Sequence, residues 1–160
     1  MIRNAVLSDA PQIAAIYNHY VAHTIVTFEE EALNATEMSD RIAAITKKYP
    51  WIVYESAGQI MGYAYAADWK VRRSYRFSLE GTVYLKKGAE RQGIGSALYG
   101  ALIDLLKPTN IHALIGGISL PNEASIALHE KFGFKKVAHF PEVGYKFEKW
   151  IDVGYWQLML

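Results

Sequence analysis

Residues 83–118 constrain the fold most. Val83, Tyr84 and Leu85 end a strand-like run, and Arg91-Gln92-Gly93-Ile94-Gly95-Ser96 follows as a glycine-bearing turn. Ile94, Ala97, Leu98, Ala101, Leu102 and Leu105 then recur at helical spacing, Pro108 stops the helix, and residues 111–118 are almost wholly apolar. Strand, tight turn, amphipathic helix and buried strand predict a right-handed βαβ unit. The turn leaves backbone N–H groups free at the helix start, where they and the helix dipole favour an anion such as phosphate. Arg91 adds a donor fork suited to phosphate oxygens. Two nucleotide loops fit only in part. G-x-x-x-x-G-K-[ST] is met by Gly88 and Gly93 but has Ile94 where lysine is required. G-x-G-x-x-G is met by Gly93 and Gly95 but has Leu98 at its third glycine. Taken alone, the loop can also be an ordinary glycine turn before a helix.

The chain has 160 residues, 51% of them hydrophobic, so one α/β domain over residues 1–160 is expected. The net charge of +1 comes from mixed signs without a basic arm, which argues against nucleic acid as a partner. With no cysteine, thiol nucleophiles and cysteine–metal sites are excluded. Residues 1–4 lack a signal-peptide pattern and no apolar run reaches membrane-spanning length, so a cytoplasmic protein without a membrane partner is expected. His19, His23, His112, His129 and His139 form no ligand pattern, and no metal is expected.

In chain order, residues 1–6 read as a strand. Asp9 with Gln12 reads as a capping box and Pro11 as a first-turn proline, ahead of Ile13, Ile16, Tyr17, Tyr20 and Val21 at helical spacing. Residues 24–31 break the pattern and carry Phe28 among acidic residues. Asn34 with Glu37 opens a second helix with Met38, Ile42, Ile45 and Tyr49 on one stripe, ended by Pro50. Residues 51–54 and 60–66 read as a hairpin around Ser56-Ala57-Gly58-Gln59. A basic, aromatic loop follows at residues 68–76. Residues 77–86 alternate, with Phe77, Leu79, Val83 and Leu85 on one face and Ser78, Glu80, Thr82 and Tyr84 on the other. Glu80 mid-strand is disfavoured by propensity; its plain reading is a solvated side chain. Asn122 caps a further helix with Ser125, Leu128, His129 and Phe132 on one face and Gly133 at its end. Two strands close the chain, around residues 134–140 and 153–160, joined by residues 145–150.

Two motifs carry a resemblance. Residues 91–96 are similar to the [RQ]-x-x-G-x-[GA] loop of the GCN5-related N-acetyltransferases, Arg91, Gly93 and Gly95-Ser96 carrying the likeness, with Ile94 at the pattern's glycine and Ser96 at its last position as departures. Asn122-Glu123-Ala124-Ser125 through Leu128-His129 and Phe132-Gly133-Phe134 resemble the N-x-x-[AS]-x-x-[LF]-[YH]-x-x-x-G-F helix of the same family. Residues 16–20, Thr27-Phe28, residues 69–72, 80–85 and 150–158 resemble its phosphinothricin acetyltransferases, a subgroup that includes relatives acting on methionine sulfone and sulfoximine. The likeness runs from Ile2 to Leu160. It implies a mixed sheet of about seven strands splayed between the fourth and fifth, about four helices, and acetyl-CoA as co-substrate in the gap.

The resemblance assigns the backbone of Val83, Tyr84 and Leu85, the loop Arg91, Gln92, Gly93, Ile94, Gly95 and Ser96, and Asn122 with Ser125 to acetyl-CoA. Glu80 falls on the subgroup's proposed catalytic carboxylate, although Gly81 departs from the His or Ser often found next to it. Direct attack of an amine on the thioester needs no covalent enzyme intermediate. It needs a base, for which Glu80 is the candidate, directly or through water, and oxyanion donors near residues 83–85. His129 is either a donor to the sulfur or a packing histidine. Arg72, Tyr75 and Arg76 are expected to bind the acid group of an amino-acid-like substrate, and Phe28 to wall the pocket or join the core. Lys146 and Trp150 are assigned to the mouth or to a dimer contact. A homodimer is expected from dimeric relatives. Acetylation of a peptide or protein amine, and acyl-CoA sensing without catalysis, are the rival readings.

Overall fold

The computed structural model describes residues 1–160. The strands are β1 (Ile2–Asn4), β2 (Trp51–Ser56), β3 (Gln59–Asp68), β4 (Ser78–Leu85), β5 (Ala113–Ser119), β6 (Lys135–Lys146) and β7 (Lys149–Met159). The helices are α1 (Ala10–His23), α2 (Ala35–Thr46), α3 (Ile94–Leu106) and α4 (Glu123–Lys131). All seven strands form one sheet, ordered β1-β2-β3-β4-β5-β7-β6. Only β4 and β5 run parallel, and they pair only over Ser78–Glu80 against Ala113–Ile115. The mixed α/β architecture expected from residues 83–118 is therefore present.

Alternation on the strands produces two cores, one on each face of the sheet. On one face α1 and α2 bring Ile13, Ile16, Tyr17, Val21, Met38 and Ile42 against Trp51, Val53, Ile60, Tyr63 and Tyr84. On the other, α3 packs Ile94, Leu98, Tyr99, Leu102, Ile103 and Leu106 on Ile52, Ala64, Leu79 and Leu114. The α3 stripe differs by one position at its end. Leu105 is 46% exposed and Leu106 is 1% exposed, because the 3.6-residue period has rotated the last turn.

Asn34 and Glu37 cap α2 reciprocally, at 2.9 and 2.7 Å. The box expected at Asp9 does not form. Residues Leu7–Asp9 are already a 3-10 turn and Asp9 has helical φ and ψ of −78° and −16°, so its carboxylate cannot fold over the first turn. It instead accepts both guanidinium nitrogens of Arg3, at 2.7 and 2.9 Å, and the Val6 N–H at 2.9 Å. Gln12 turns away to accept the Ile60 N–H of β3 at 2.9 Å. The Arg3 hydrogen bond holds the Asp9 carboxyl below its ordinary range. Asp9→Asn should accordingly destabilise the fold by about 2–3 kcal/mol near neutral pH. The deficit should be full above the ordinary carboxylate pKa of about 4 and vanish as pH falls through the lowered value in the folded protein. Urea titrations at several pH values measure it.

The tail corrects the expected 145–150 connection. Tyr145, Lys146, Lys149 and Trp150 are strand residues, and the turn is Phe147-Glu148, with φ of +53° and +59°. Two left-handed residues are what a tight hairpin requires. Neither is glycine or asparagine, so the turn carries no sequence mark. Asp152 accepts the Glu142 N–H at 2.8 Å and His139 Nε2–H at 2.7 Å, which pins the irregular stretch of β6 between Phe140 and Gly144. No helix is long and apolar enough to cross a membrane.

Candidate active site

Past Glu80, β4 has no strand on its β5 side. The bonds from Trp69 N–H to the Ser78 carbonyl and from Lys86 N–H to that of Met61 fix the strand parity. Even-numbered residues of β4 bond to β3, while Val83 and Leu85 turn their amide and carbonyl towards the parting. Two expectations change. The Tyr84 backbone is committed to β3 opposite Tyr63, so it is not free for a ligand. The Leu85 backbone is engaged by the Tyr20 hydroxyl, which donates to its carbonyl at 2.8 Å and lies 3.3 Å from its amide nitrogen. Val83 is left with an open amide edge.

The glycine turn stands at one end of this parting. Gly93, with φ +78°, is the N-cap of α3 and supplies no side-chain cap, a conformation glycine adopts without steric cost. The amides of residues 91–96 receive no partner from the protein. The loop is braced from within: Glu90 accepts the Gly88 N–H at 2.8 Å and the Gln92 side chain donates to the Gly88 carbonyl at 3.0 Å. The Gln92 side-chain amide is thereby tied to the loop's own backbone. A Cβ at Gly95 would lie 3.6 Å from Leu85 and 3.9 Å from Leu128, ordinary contacts, so the protein's own packing does not require glycine there. Lys131 of α4, which the sequence did not single out, donates to Ser96 Oγ at 3.0 Å and adds a cation at the helix start. Asn122 caps α4 by accepting the Ser125 N–H at 3.1 Å, which leaves its amide NH₂ unused.

Beside the parting lies a cavity of about 500 Å³. Glu80 is in its wall with Thr82, Val83, Tyr84, Gly117, Ser119, Ser125, Tyr155 and Val153. A carboxylate oxygen of Glu80 sits 3.2 Å from where a Gly117 Cβ would be, so the absent side chain is what opens room for it. Glu80 accepts no hydrogen bond, and burial raises its pKa, with Lys70 opposing weakly. It is a half-buried carboxyl without a hydrogen-bond partner, not the solvated strand residue of the plain reading. Phe28 lines the same cavity, packed on the Cα of Gly144 and 41% exposed. Arg72, Tyr75 and Arg76 do not line it. They stand exposed beyond the end of β4, Arg76 lying over the Phe77 ring at 4.3 Å and Tyr75 against Trp69. The cationic side chain in the wall is Arg41 of α2, paired with Glu29 at 2.8 Å. The amphipathic stripe of α2 gave no reason to select it.

His129 is brought to the site but not as a proton donor. Its Nδ1 lies 2.7 Å from the Ser125 carbonyl oxygen, which can only accept, so Nδ1 carries the hydrogen. Nε2 is then the lone-pair nitrogen; it is buried without a partner against the Cα of Gly116. Burial also lowers the imidazole pKa. The ring packs edge-to-face against Tyr99 and Phe134 at 5.0 Å each. Lys146 is buried as well, donating to the carbonyls of Thr24 and Thr27 at 2.9 and 2.8 Å, so it anchors the loop carrying Phe28 and does not line the mouth.

Comparison with known proteins assigns this architecture to a family. An acetyltransferase (GNAT) domain model matches residues 2–154. The chain belongs to the GNAT acetyltransferase family. It is 36% identical to a phosphinothricin N-acetyltransferase of Streptomyces viridochromogenes, covering 98% of this chain and 85% of that protein. It is 34% identical to an L-methionine sulfoximine/L-methionine sulfone acetyltransferase of Salmonella typhimurium, covering 99% and 94%. Among solved structures, a Brucella melitensis ribosomal-protein-alanine N-acetyltransferase superposes with a TM-score of 0.98 at 34% identity, covering 100% and 99%. A GNAT phosphinothricin acetyltransferase of Sinorhizobium meliloti, solved with acetyl-CoA, gives 0.96 at 33%, covering 100% and 88%. The GNAT site here fits acetyl-CoA on its own geometry: unpaired amides at residues 91–96, a clear approach over Gly95, and an open amide edge at Val83.

Proposed function

We propose that residues 1–160 form one acetyltransferase domain that acetylates the amine of a small amino-acid-like molecule of the phosphinothricin or methionine sulfone type. The observation that carries this is an unpaired, half-buried Glu80 lining a 500 Å³ cavity beside the parting of β4 and β5. That volume suits a small molecule. Acetyl-CoA supplies the acetyl group as an activated thioester. The amides of residues 91–96, with Arg91 and Lys131, hold its pyrophosphate at the N-terminus of α3. Val83 offers its amide edge to pantetheine and to the developing oxyanion, and the free NH₂ of Asn122 reaches the same chain. Glu80 takes the proton of the acceptor ammonium, directly or through water. Phe28 and Tyr155 wall the acceptor. His129 positions α4 against β5. Release of CoA measured with a thiol reagent, over a panel of amino acids, phosphinothricin, methionine sulfone and methionine sulfoximine, tests the reading. No release with any of them refutes it.

A second reading, acetylation of a protein N-terminus, draws on the Brucella neighbour. A chain end entering the same cavity would give CoA release with peptides and none with free amino acids.

We further propose a cytoplasmic homodimer. Edge strand β6 and its hairpin expose Phe140, Val143, Tyr145, Phe147 and Trp150, the last 64% exposed. An uncovered apolar edge strand is a pairing surface. Trp150→Glu should shift the dimer to monomer in sedimentation velocity; an unchanged dimer would move the interface elsewhere.

A further inference from the structure

Beyond the last β4–β5 pair, Val83 and Leu85 turn their amide and carbonyl to the parting. A strand edge repeats these groups every two residues, about 6.8 Å apart. The pantetheine arm of acetyl-CoA carries two amides on a flexible chain, so against two like edges it has more than one register. Only the register that reaches Val83 brings the thioester up to Glu80. Leu85 is closed by a side chain, not by a strand. The Tyr20 hydroxyl donates to its carbonyl at 2.8 Å and lies 3.3 Å from its amide nitrogen, where a ladder partner would stand. Tyr20 belongs to the last turn of α1. Its ring is half-buried, edge-on to Tyr84 at 4.9 Å, and Tyr84 in turn meets Tyr17 at 5.3 Å and Tyr63 at 5.5 Å. Its carbonyl accepts the Thr24 N–H at 3.1 Å and the Thr24 hydroxyl at 2.9 Å, which closes the helix end. Burial raises the pKa of the hydroxyl, so it keeps the proton it donates. Swinging the ring out would strip these aromatic contacts and leave both Leu85 groups unpaired, so the hydroxyl stays when the arm arrives.

We propose that Tyr20 is a positioning residue for the acetyl donor: its hydroxyl blocks the Leu85 edge, denies the pantetheine arm a register two residues short, and so delivers the thioester to Val83 and Glu80. The inference rests on the reading of Val83 above and concerns the donor alone. The amides at the start of α3 fix the pyrophosphate; Tyr20 fixes where the far end of the arm stops. An arm paired at Leu85 would bow out towards solvent and hold its acetyl group about 6.8 Å short, far more than attack by a positioned amine tolerates. In sequence Tyr20 belongs to the stripe of α1, and its ring does pack there. The added role lies in one oxygen atom.

The test is Tyr20→Phe, which removes that oxygen and keeps the ring. Calorimetry reads the affinity for acetyl-CoA and for adenosine 3′-phosphate 5′-diphosphate, the same nucleotide without the arm. CoA release with the best acceptor of the panel reads kcat and kcat/KM for acetyl-CoA. The opened Leu85 edge offers the arm one further ladder hydrogen bond and draws most of the bound arm into the short register. Kd for acetyl-CoA should tighten by roughly 3–10-fold and kcat should fall by the same factor. Both registers count in Kd and only one reacts, so kcat/KM for acetyl-CoA should be unchanged. The armless nucleotide should bind as it does to the wild type. A tighter Kd with unchanged kcat refutes the inference, because the arm then displaces the hydroxyl in the wild type. A lower kcat with weaker binding refutes it too, by marking Tyr20 as structural, as does a variant identical to the wild type. An armless nucleotide that tightens as much as acetyl-CoA is equally fatal. A wild type that releases no CoA with any acceptor overturns the small-molecule reading alone: the affinities need no acceptor, and an unchanged acetyl-CoA Kd in Tyr20→Phe still refutes the role of Tyr20.

Discussion

Glu80→Gln should lower kcat by about 10²–10⁴-fold, the usual contribution of a general base, and leave the affinity for acetyl-CoA unchanged. The residual activity should climb at high pH, where free amine is abundant. In the wild type, kcat should fall as pH drops through the Glu80 pKa, which burial raises above its ordinary value. The same burial gives a second, independent readout. Folded Glu80 binds its proton more tightly than the unfolded chain does, so stability falls as pH rises from the ordinary carboxylate pKa through the raised one. Removing the charge removes that loss, and Glu80→Gln should have a higher Tm than the wild type at pH 8. A variant slower but less stable would mark Glu80 as a structural residue; one with unchanged kcat and pH profile would move the base elsewhere.

Gly95→Glu has the other large effect. The Cβ alone finds only ordinary contacts, at 3.6 Å from Leu85 and 3.9 Å from Leu128, so the fold should survive. The carboxylate would stand among the unpaired amides of residues 91–96 and occupy the anion's place. Acetyl-CoA binding by calorimetry should weaken at least 100-fold, the order expected when a charge-assisted contact is replaced by like-charge repulsion. Circular dichroism and Tm should stay near wild type. A folded Gly95→Glu protein with wild-type affinity would displace the donor site from this loop.

The donor half was legible because its residues announce themselves locally. Gly93 takes a left-handed φ and Asn122 is a cap; outside that half, Asn34 is a cap and Glu80 violates strand propensity where it stands. The acceptor half was not. Arg41 sits on the polar side of an amphipathic helix, indistinguishable in sequence from any solvated arginine, and reaches the cavity only because Glu29 and Tyr17 meet it there. Arg72 and Arg76 looked suited to an acid group by composition, but β4 starts at Ser78 and carries the chain away from them. Asp9 looked like a cap, but the neighbouring strand β1 brings Arg3 within 2.7 Å and Arg3 claims its carboxylate. His129 matched a family position, but the hydrogen on Nδ1 follows from a carbonyl one turn earlier, which no motif encodes. The Phe147-Glu148 turn is left-handed without glycine and so without a signature.

The buried ammonium of Lys146 ties Thr24 and Thr27 to the final hairpin across 122 and 119 residues of sequence. The loop and helix of the donor site are contiguous between residues 83 and 131, whereas the acceptor wall joins the first quarter of the chain to the last. Both halves nonetheless wait for the end of the chain, because the core under α3 includes Phe134 and Trp156. The pocket closes only when Lys146 has left the ribosome and β7 has zipped between β5 and β6.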